Sequence, residues 1–474
     1  MNCLSQNVAF KFFTCIFLFG SLDARSNVVL PDIIGTNMVL QQDTTVKLWG
    51  WADPNEKILI STSWNGKIYN AIGSRDAKWS VEIETPRAGG PYTISIKGKN
   101  SLLLTNILIG ELWLCSGQSN MEMSGNWGLP DIDKERASAN NDKIRFFSVV
   151  KNTADYPQDQ IRGHWELCDS NSLMDFSAVG YFFGKRVNER LGFPVGLINA
   201  SWGGTAAEVW TPDSIINNQP VLKEAAKIIQ PGTMNPYLPG HTYNAMIAPL
   251  TSMAIAGVVW YQGENNTEAA NTYNLLFTTM IKAWRTAWNQ NFPFYYVQIA
   301  PYRYKKVNSG ALLREAQLKS AEYPNTGMVV ITDLVTDVND VHPKDKHDVG
   351  QRLANLALSE HYRIPGLSHK YPMPGDMRVI KSRIVMNIKN APGGLTTKGA
   401  PARELYIAGP DSVFHLAKAS IKDTTITVWN KDVKDPIAVR YAFSDTAIGN
   451  IFSTEGLPLS PFRTDKWPIV ADGH

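Results

Sequence analysis

Between residues 27 and 105 apolar and polar positions alternate in short runs. Val46-Lys47-Leu48-Trp49-Gly50, Ile58-Leu59-Ile60-Ser61-Thr62, Trp79-Ser80-Val81-Glu82-Ile83 and Tyr92-Thr93-Ile94-Ser95-Ile96 carry the two-residue period of half-buried strands. Asp53-Pro54-Asn55, Asn65-Gly66 and Gly89-Gly90-Pro91 read as the turns between them. A small β-sandwich is predicted there. From residue 106 to about 365 the pattern changes to strands alternating with helices. Ile107–Leu114, Val195–Ala200, Ala254–Tyr261, Phe294–Ile299 and Met328–Thr332 are apolar runs of strand length. Ser177–Leu191, Glu268–Trp288 and Asp345–Leu358 repeat apolar residues at three- and four-residue steps, as amphipathic helices do. Buried strands with helices between them predict an α/β domain: a five-stranded parallel sheet with helices on both faces and every strand's carboxyl end on one edge. After about residue 370 the alternation of period two returns at Arg383–Ile388, Glu404–Ile407, Thr425–Trp429 and Ala438–Phe443, so residues 370–474 are expected to form a second β-rich region.

Residues 1–26 carry a different pattern. Lys11 precedes the apolar run Phe12–Leu22, and Ala24-Arg25-Ser26 offers small residues for cleavage. This predicts a secretory signal, and a secreted or periplasmic mature chain, because the run is too short for a permanent membrane span. Of the four cysteines, Cys115 and Cys168 lie beyond that segment. In an exported protein they could pair, but Cys115 ends the presumed central strand, where a buried free thiol is equally expected.

Composition narrows the class. Of 474 residues, 44% are hydrophobic and 19% charged, with a formal net charge of +3, which fits a globular protein with ample core. There is no basic stripe to suggest nucleic acid and no polybasic patch to suggest membrane insertion. Fourteen tryptophans can stack on sugars or fill β cores.

The chemistry gathers at the strand ends. Ile107–Leu114 runs into Cys115-Ser116-Gly117-Gln118-Ser119-Asn120, where small polar residues abruptly replace large apolar ones. Open α/β sheets keep their ligands at that edge. A serine hydroxyl there needs a base. His342 follows the last strand in Asp333-Leu334-Val335-Thr336-Asp337-Val338-Asn339-Asp340-Val341-His342-Pro343, and Pro343 suits the entrance of a helix. Ser201-Trp202-Gly203-Gly204-Thr205 ends the next strand, with glycines that let the backbone approach a ligand. Trp260-Tyr261-Gln262-Gly263-Glu264-Asn265-Asn266 ends another, where a Gln or Asn amide can donate to an oxyanion. Four strand ends fit one mechanism. Ser119 attacks an acyl carbonyl, His342 takes its proton, and the oxyanion sits among the N–H groups of Ser119 and Gly204 and the amide of Gln262. Gln118, Asn120 and Glu264 are the candidates for shaping the site and binding substrate. A metal site through His342, Asp345 and His347 matches no ligand spacing, neither a P-loop nor a Rossmann fingerprint is present, and no cofactor is expected.

With these residues in place the chain resembles the sialate O-acetylesterase family of SGNH hydrolases. Gly117-Gln118-Ser119-Asn120-Met121-Glu122 is similar to its nucleophile block, and Ser201–Thr205, Trp260–Glu264 and Asp340-Val341-His342-Pro343 to the three that follow. Gly50-Trp51-Ala52 and the segment from Gly456 to Asp465 extend the likeness over the mature chain. The resemblance implies a flavodoxin-like catalytic domain with flanking β domains, and removal of O-acetyl groups from sialic acid or another acetylated sugar. One position departs from the pattern. Many SGNH hydrolases carry aspartate three residues before the histidine, but here Asn339 holds that place and Asp340 lies two before. Asp340 is taken as the third member, with Asp337, another loop acid or a backbone carbonyl as alternatives. Two rivals share the sequence features: an acetylxylan or other polysaccharide deacetylase, and a non-catalytic carbohydrate-binding protein. The four-part constellation argues against the second, because a lectin has no use for it.

Overall fold

The computed structural model describes residues 27–130, 132–229 and 235–469, so the expected signal at 1–26 lies outside the described residues. One strand organises the molecule. Ser101–Gly117 runs uninterrupted for 17 residues. Its first half pairs antiparallel with Gly89–Lys97 in the amino-terminal β region. Its second half, buried throughout from Ile107, is the central strand of the α/β layer. Residues 105 and 106 both lie within it, so the two regions share a strand. The sequence shows the same division: exposed positions still alternate at 101–106, then polar residues all but vanish.

The main sheet runs Thr326–Val329, Phe294–Val297, Gly257–Tyr261, Ser101–Gly117, Val195–Ser201, Asn141–Ser148, Trp165–Cys168. Its strands are parallel except the last, which is antiparallel to Asn141–Ser148. The five expected strands are therefore joined by a sixth parallel strand and an antiparallel edge. Asn141–Ser148 escaped the pattern because its apolar stretch is only Ile144 to Phe147, and Arg145 interrupts it. The chain leaves the central strand first to one side and later to the other. The crevice at the end of Ser101–Gly117 is thus a topological switch point, where such sheets place ligands.

Helices cover both faces. Ala178–Leu191 packs against Lys346–Glu360 on one face, and Ala270–Trp288 against Ser309–Ser320 on the other. Trp113 reaches into the first layer, with its ring 4.9 Å from that of Phe183, and Trp260 into the second, 5.9 Å from Trp284. Ser309–Ser320 was not evident in the sequence because Arg314 and Gln317 break its buried stripe. Both carry polar partners: Arg314 Nη2 donates to the Ser444 carbonyl, and Gln317 Nε2 to those of Gln262 and Val297. Cys115 and Cys168 are buried free thiols; Cys168 Sγ donates to the Ala139 carbonyl, and burial pushes its pKa up to about 12.

Among the described carboxyl-terminal residues two four-stranded antiparallel sheets and a two-stranded one, Leu395–Thr396 with Phe452–Ser453, surround a second core that includes Ile384, Ile407, Val428 and Tyr441. This region also braces the active edge. Asp445 Oδ1 accepts the N–H groups of Gly310 and Ala311, and its carbonyl accepts the N–H of Tyr302, which lines the crevice at the end of the central strand. Arg463 closes the join with a bidentate pair to Glu315 at 3.0 and 3.1 Å.

Candidate active site

The central strand ends in a turn fixed on both sides. Gln118 N–H donates to the Tyr261 carbonyl and Trp202 N–H to the Gly117 carbonyl, each at 3.0 Å. Gly117 has φ +139°, and a Cβ there would stand 2.2 Å from the Tyr261 oxygen, so only glycine fits. Ser119 opens the short helical turn Ser119–Glu122, where the first N–H groups have no intrahelical partner. Its Oγ lies 2.9 Å from His342 Nε2. That is the contact a hydroxyl nucleophile and its base require. The His342 ring meets Trp127 edge to face, with centroids 5.5 Å apart.

The crevice around this pair holds about 780 Å³, enough for a sugar unit bearing an acetyl group. Trp127, Trp202, Tyr302 and Tyr304 supply apolar wall, while Glu122, Lys151, Asn235, Glu264 and Asn265 supply polar groups. Gly203 N–H donates to Glu122 Oε2 at 2.5 Å, which ties the glycine loop to the serine turn. Gly204 has φ +70°, and a Cβ there would collide with Asn235 Nδ2 at 2.1 Å.

The structure corrects two expected roles. Gln262 does not face the crevice. It is fully buried, with Nε2 donating to Asn266 Oδ1 at 2.7 Å and the Thr205 carbonyl at 3.2 Å, while its Oε1 accepts from the Tyr273 hydroxyl at 2.9 Å. The cause is strand alternation: Gln262 lies two residues after Trp260 and shares its direction, towards helix Ala270–Trp288. From the same strand-end segment it is Asn265 whose amide lines the crevice, with Nδ2 donating to the Gly204 carbonyl at 2.5 Å. Asn120, expected to touch substrate, is also fully buried and spends its amide on Glu264, Val341 and Lys346. Gln118 and Glu264 do line the crevice. Gln118 Oε1 accepts the N–H groups of Gly263 and Asn265 at 3.3 and 3.4 Å. Glu264 Oε2 is buried with no hydrogen-bond partner among the described residues, and burial raises the carboxyl pKa.

Asp340 is near His342 but does not grip it. Its Oδ1 accepts the backbone N–H of His342 at 2.9 Å and stands 3.9 Å from Nδ1, an ion-pair distance and not a hydrogen bond. Asp337 turns away, accepting from Asn339 N–H at 2.8 Å and from Asn339 Nδ2 at 3.0 Å. The arrangement is a Ser–His pair with a loosely associated acid. Asp340→Asn keeps the acceptor for the backbone N–H, so it is expected to lower kcat/KM by about tenfold or less. A side chain holding the imidazole by a full hydrogen bond would cost nearer ~10⁴-fold. Steady-state kinetics of this variant separate the two, and a loss near the larger figure would mean that Asp340 swings onto Nδ1 during turnover. A metal would find its closest group of possible ligand atoms elsewhere. Asp345, His347 and Asp348 lie within 4.8 Å of one another, but Asp345 caps the helix and His347 Nδ1 contacts Asp348, and His342 is not among them.

A parallel-centred α/β sheet that presents a serine against a histidine at its switch point defines a serine hydrolase. Comparison with known proteins gives the family. The profile described as carbohydrate esterase, sialic acid-specific acetylesterase, matches residues 109–359, more than half of the chain. The chain belongs to this family and is a carboxylic ester hydrolase. It is similar to the sialate O-acetylesterase of Homo sapiens, with 28% identity over 79% of this chain and 78% of that one. That of Pongo abelii is 27% identical over the same shares. Among solved structures, a carbohydrate acetylesterase from Xanthomonas citri superposes with a TM-score of 0.86 at 33% identity, covering 93% of this chain and 100% of that one.

Proposed function

We propose that this esterase is exported and removes O-acetyl groups from sialic acid through an acetyl-enzyme. The observation that carries the reading is the 2.9 Å contact between Ser119 Oγ and His342 Nε2 at the floor of an aromatic-walled crevice. His342 accepts the serine proton as Oγ attacks the acetyl carbonyl. The N–H groups of Ser119 and Gly204 and the amide of Asn265 hold the oxyanion, and the imidazolium returns its proton to the departing sugar oxygen. Water then repeats the sequence on the acetyl-enzyme. Burial, with Lys346 and Lys344 adding to it and Asp340 opposing, holds the His342 pKa below its ordinary 6.5, which favours the neutral ring that can accept the serine proton. The names of the relatives support sialate as the sugar, and the pattern of residues 1–26 supports export.

A second reading, a neutral acetylated polysaccharide such as acetylxylan, is favoured by one feature. Lys151 is the crevice's only lysine or arginine among the described residues, and its ammonium is paired with Glu122 at 2.5 Å. A sialate carboxylate must compete with Glu122 for it. Acetate release from O-acetylated sialic acid and from acetylated xylan decides between the two. If sialate is the substrate, Lys151→Ala raises its KM about tenfold and leaves neutral esters unaffected. Wild-type preference for xylan, with no selective effect of Lys151→Ala, would replace the first reading by the second.

A further inference from the structure

Asn120, the residue after the proposed nucleophile, joins three elements of the site. Its Nδ2 donates to Glu264 Oε1 at 2.6 Å and to the Val341 carbonyl at 3.0 Å, while its Oδ1 accepts from Lys346 Nζ at 2.6 Å. Lys346 is the first residue of helix Lys346–Glu360 and is only 1% exposed. Its ammonium stands 5.1 Å from the centre of the Tyr261 ring. A lysine is almost never buried so completely without a partner or a task, and the acyl-transfer steps above give this one no task beyond helping to hold the His342 pKa down.

We propose that Lys346 is a positioning residue for acyl transfer: acting through Asn120, it locks the Val341 carbonyl, and with it the adjoining His342 ring, against the Ser119 turn. The inference rests on the Ser119–His342 reading. It answers a question that reading leaves open, because Asp340, 3.9 Å from Nδ1, does not hold the imidazole by a hydrogen bond. The Asn120–Val341 bond crosses from the serine turn to the histidine loop, one residue from the ring. Lys346 fixes which way the Asn120 amide faces: its ammonium can only donate, so it selects the amide oxygen and leaves both Nδ2 hydrogens for Glu264 and Val341.

The charge has a second effect. His342 is faced by Asp340 and Lys344 from its own loop, by Lys346 from the helix start, and by the Ser119 hydroxyl and Trp127 from across the crevice. Lys346 is faced by Glu264 and Tyr261 from the neighbouring strand end, by Asn120, and by Asp340, Lys344 and Asp345 from its own segment. Burial pushes the Lys346 ammonium down to about 7, with Glu264 opposing, so it is charged in the acidic range where His342 titrates. There it disfavours the imidazolium. Removing the ammonium lets the His342 pKa rise, and the acid limb of the rate profile moves to higher pH.

The test is the pH dependence of acetate release by the full chain carrying Lys346→Met, which keeps the length of the side chain and removes donor and charge. The expected result is a kcat lower by about ten- to a hundredfold with KM nearly constant, the size of effect that misplacing a catalytic group produces. The acid limb of kcat/KM should also rise by about half a pH unit or more. Asn120→Ala should give a similar kcat, and the double variant should be no worse than either single one, because both break one chain of contacts. Should Lys346→Met fold poorly, Lys346→Gln, a shorter neutral donor, should show the same shift in the limb with a smaller loss of kcat. An unmoved acid limb in a folded variant, or losses that add in the double variant, overturns the proposal. Stoichiometric labelling of wild-type Ser119 by an organophosphate keeps the two claims apart: labelling with an indifferent Lys346 sinks only the positioning role, whereas no labelling sinks the Ser119 reading itself.

Discussion

Ser119→Ala is expected to lower kcat by about 10⁶-fold, the loss seen when a serine hydrolase loses its nucleophile, and to leave the fold intact. Among the described residues the Ser119 side chain makes one hydrogen bond, to His342 Nε2, and its turn is held by backbone contacts from Gly117 and Gln118 to neighbouring strands. The thermal midpoint should therefore move by no more than a few degrees. His342→Ala should reach nearly the same floor. The double variant should fall no further, since nucleophile and base act as one unit and removing either removes the step. A residual rate above that of water is expected, because the oxyanion donors stay in place. The measurement is acetate release from an O-acetylated sugar together with organophosphate labelling. Retention of more than about 1% of kcat by Ser119→Ala, or labelling at another serine, would move the nucleophile away from the central strand's end.

The size of that effect follows from features the sequence displays openly. A long apolar run ending in Gly117-Gln118-Ser119 is visible because a strand buried on both faces has few polar positions, Glu111 alone between Ile107 and Leu114, and its end is marked when they return. His342 is visible for the same reason, as the loop after the last strand must emerge on the same edge. Lys346 is different. It lies in Lys344-Asp345-Lys346-His347-Asp348, a charged run that reads as the solvated start of a helix. Nothing in that run says which lysine turns inward. The choice is made by Asn120 and Glu264, which are 226 and 82 positions away in the chain. The corrected Gln262 and Asn120 belong with it. Each is a polar side chain beside the catalytic elements, and whether it faces the crevice or the core depends on strand parity and on partners from distant segments. The crevice walls supplied by Tyr302 and Tyr304 were hidden for a further reason, since their loop is anchored by Asp445 of the carboxyl-terminal β region.

The exchange of Gln262 for Asn265 leads to the second large effect. Asn265→Ala is expected to lower kcat by about 10²–10³-fold with little change in KM, the cost of removing one oxyanion donor. Asn265 is exposed and lines the crevice, and one hydrogen of its amide is committed to the Gly204 carbonyl. The other is left for the developing charge, and the committed one orients the amide beside the Gly204 backbone, which supplies a neighbouring donor. Because the side chain is exposed, its loss should barely alter the melting temperature. Gln262→Ala should behave in the opposite way. It removes a fully buried amide that satisfies the Tyr273 hydroxyl, the Asn266 side chain and the Thr205 carbonyl, so it is expected to destabilise the fold by about 1–3 kcal/mol. Its kcat, measured well below the melting transition, should fall less than that of Asn265→Ala. The pair of variants thus separates donor from scaffold by comparing kcat with thermal stability. If Asn265→Ala keeps kcat within about threefold, the oxyanion is held by the N–H groups of Ser119 and Gly204 alone. If Gln262→Ala is the one that loses kcat without losing stability, the core amide must turn into the crevice during turnover.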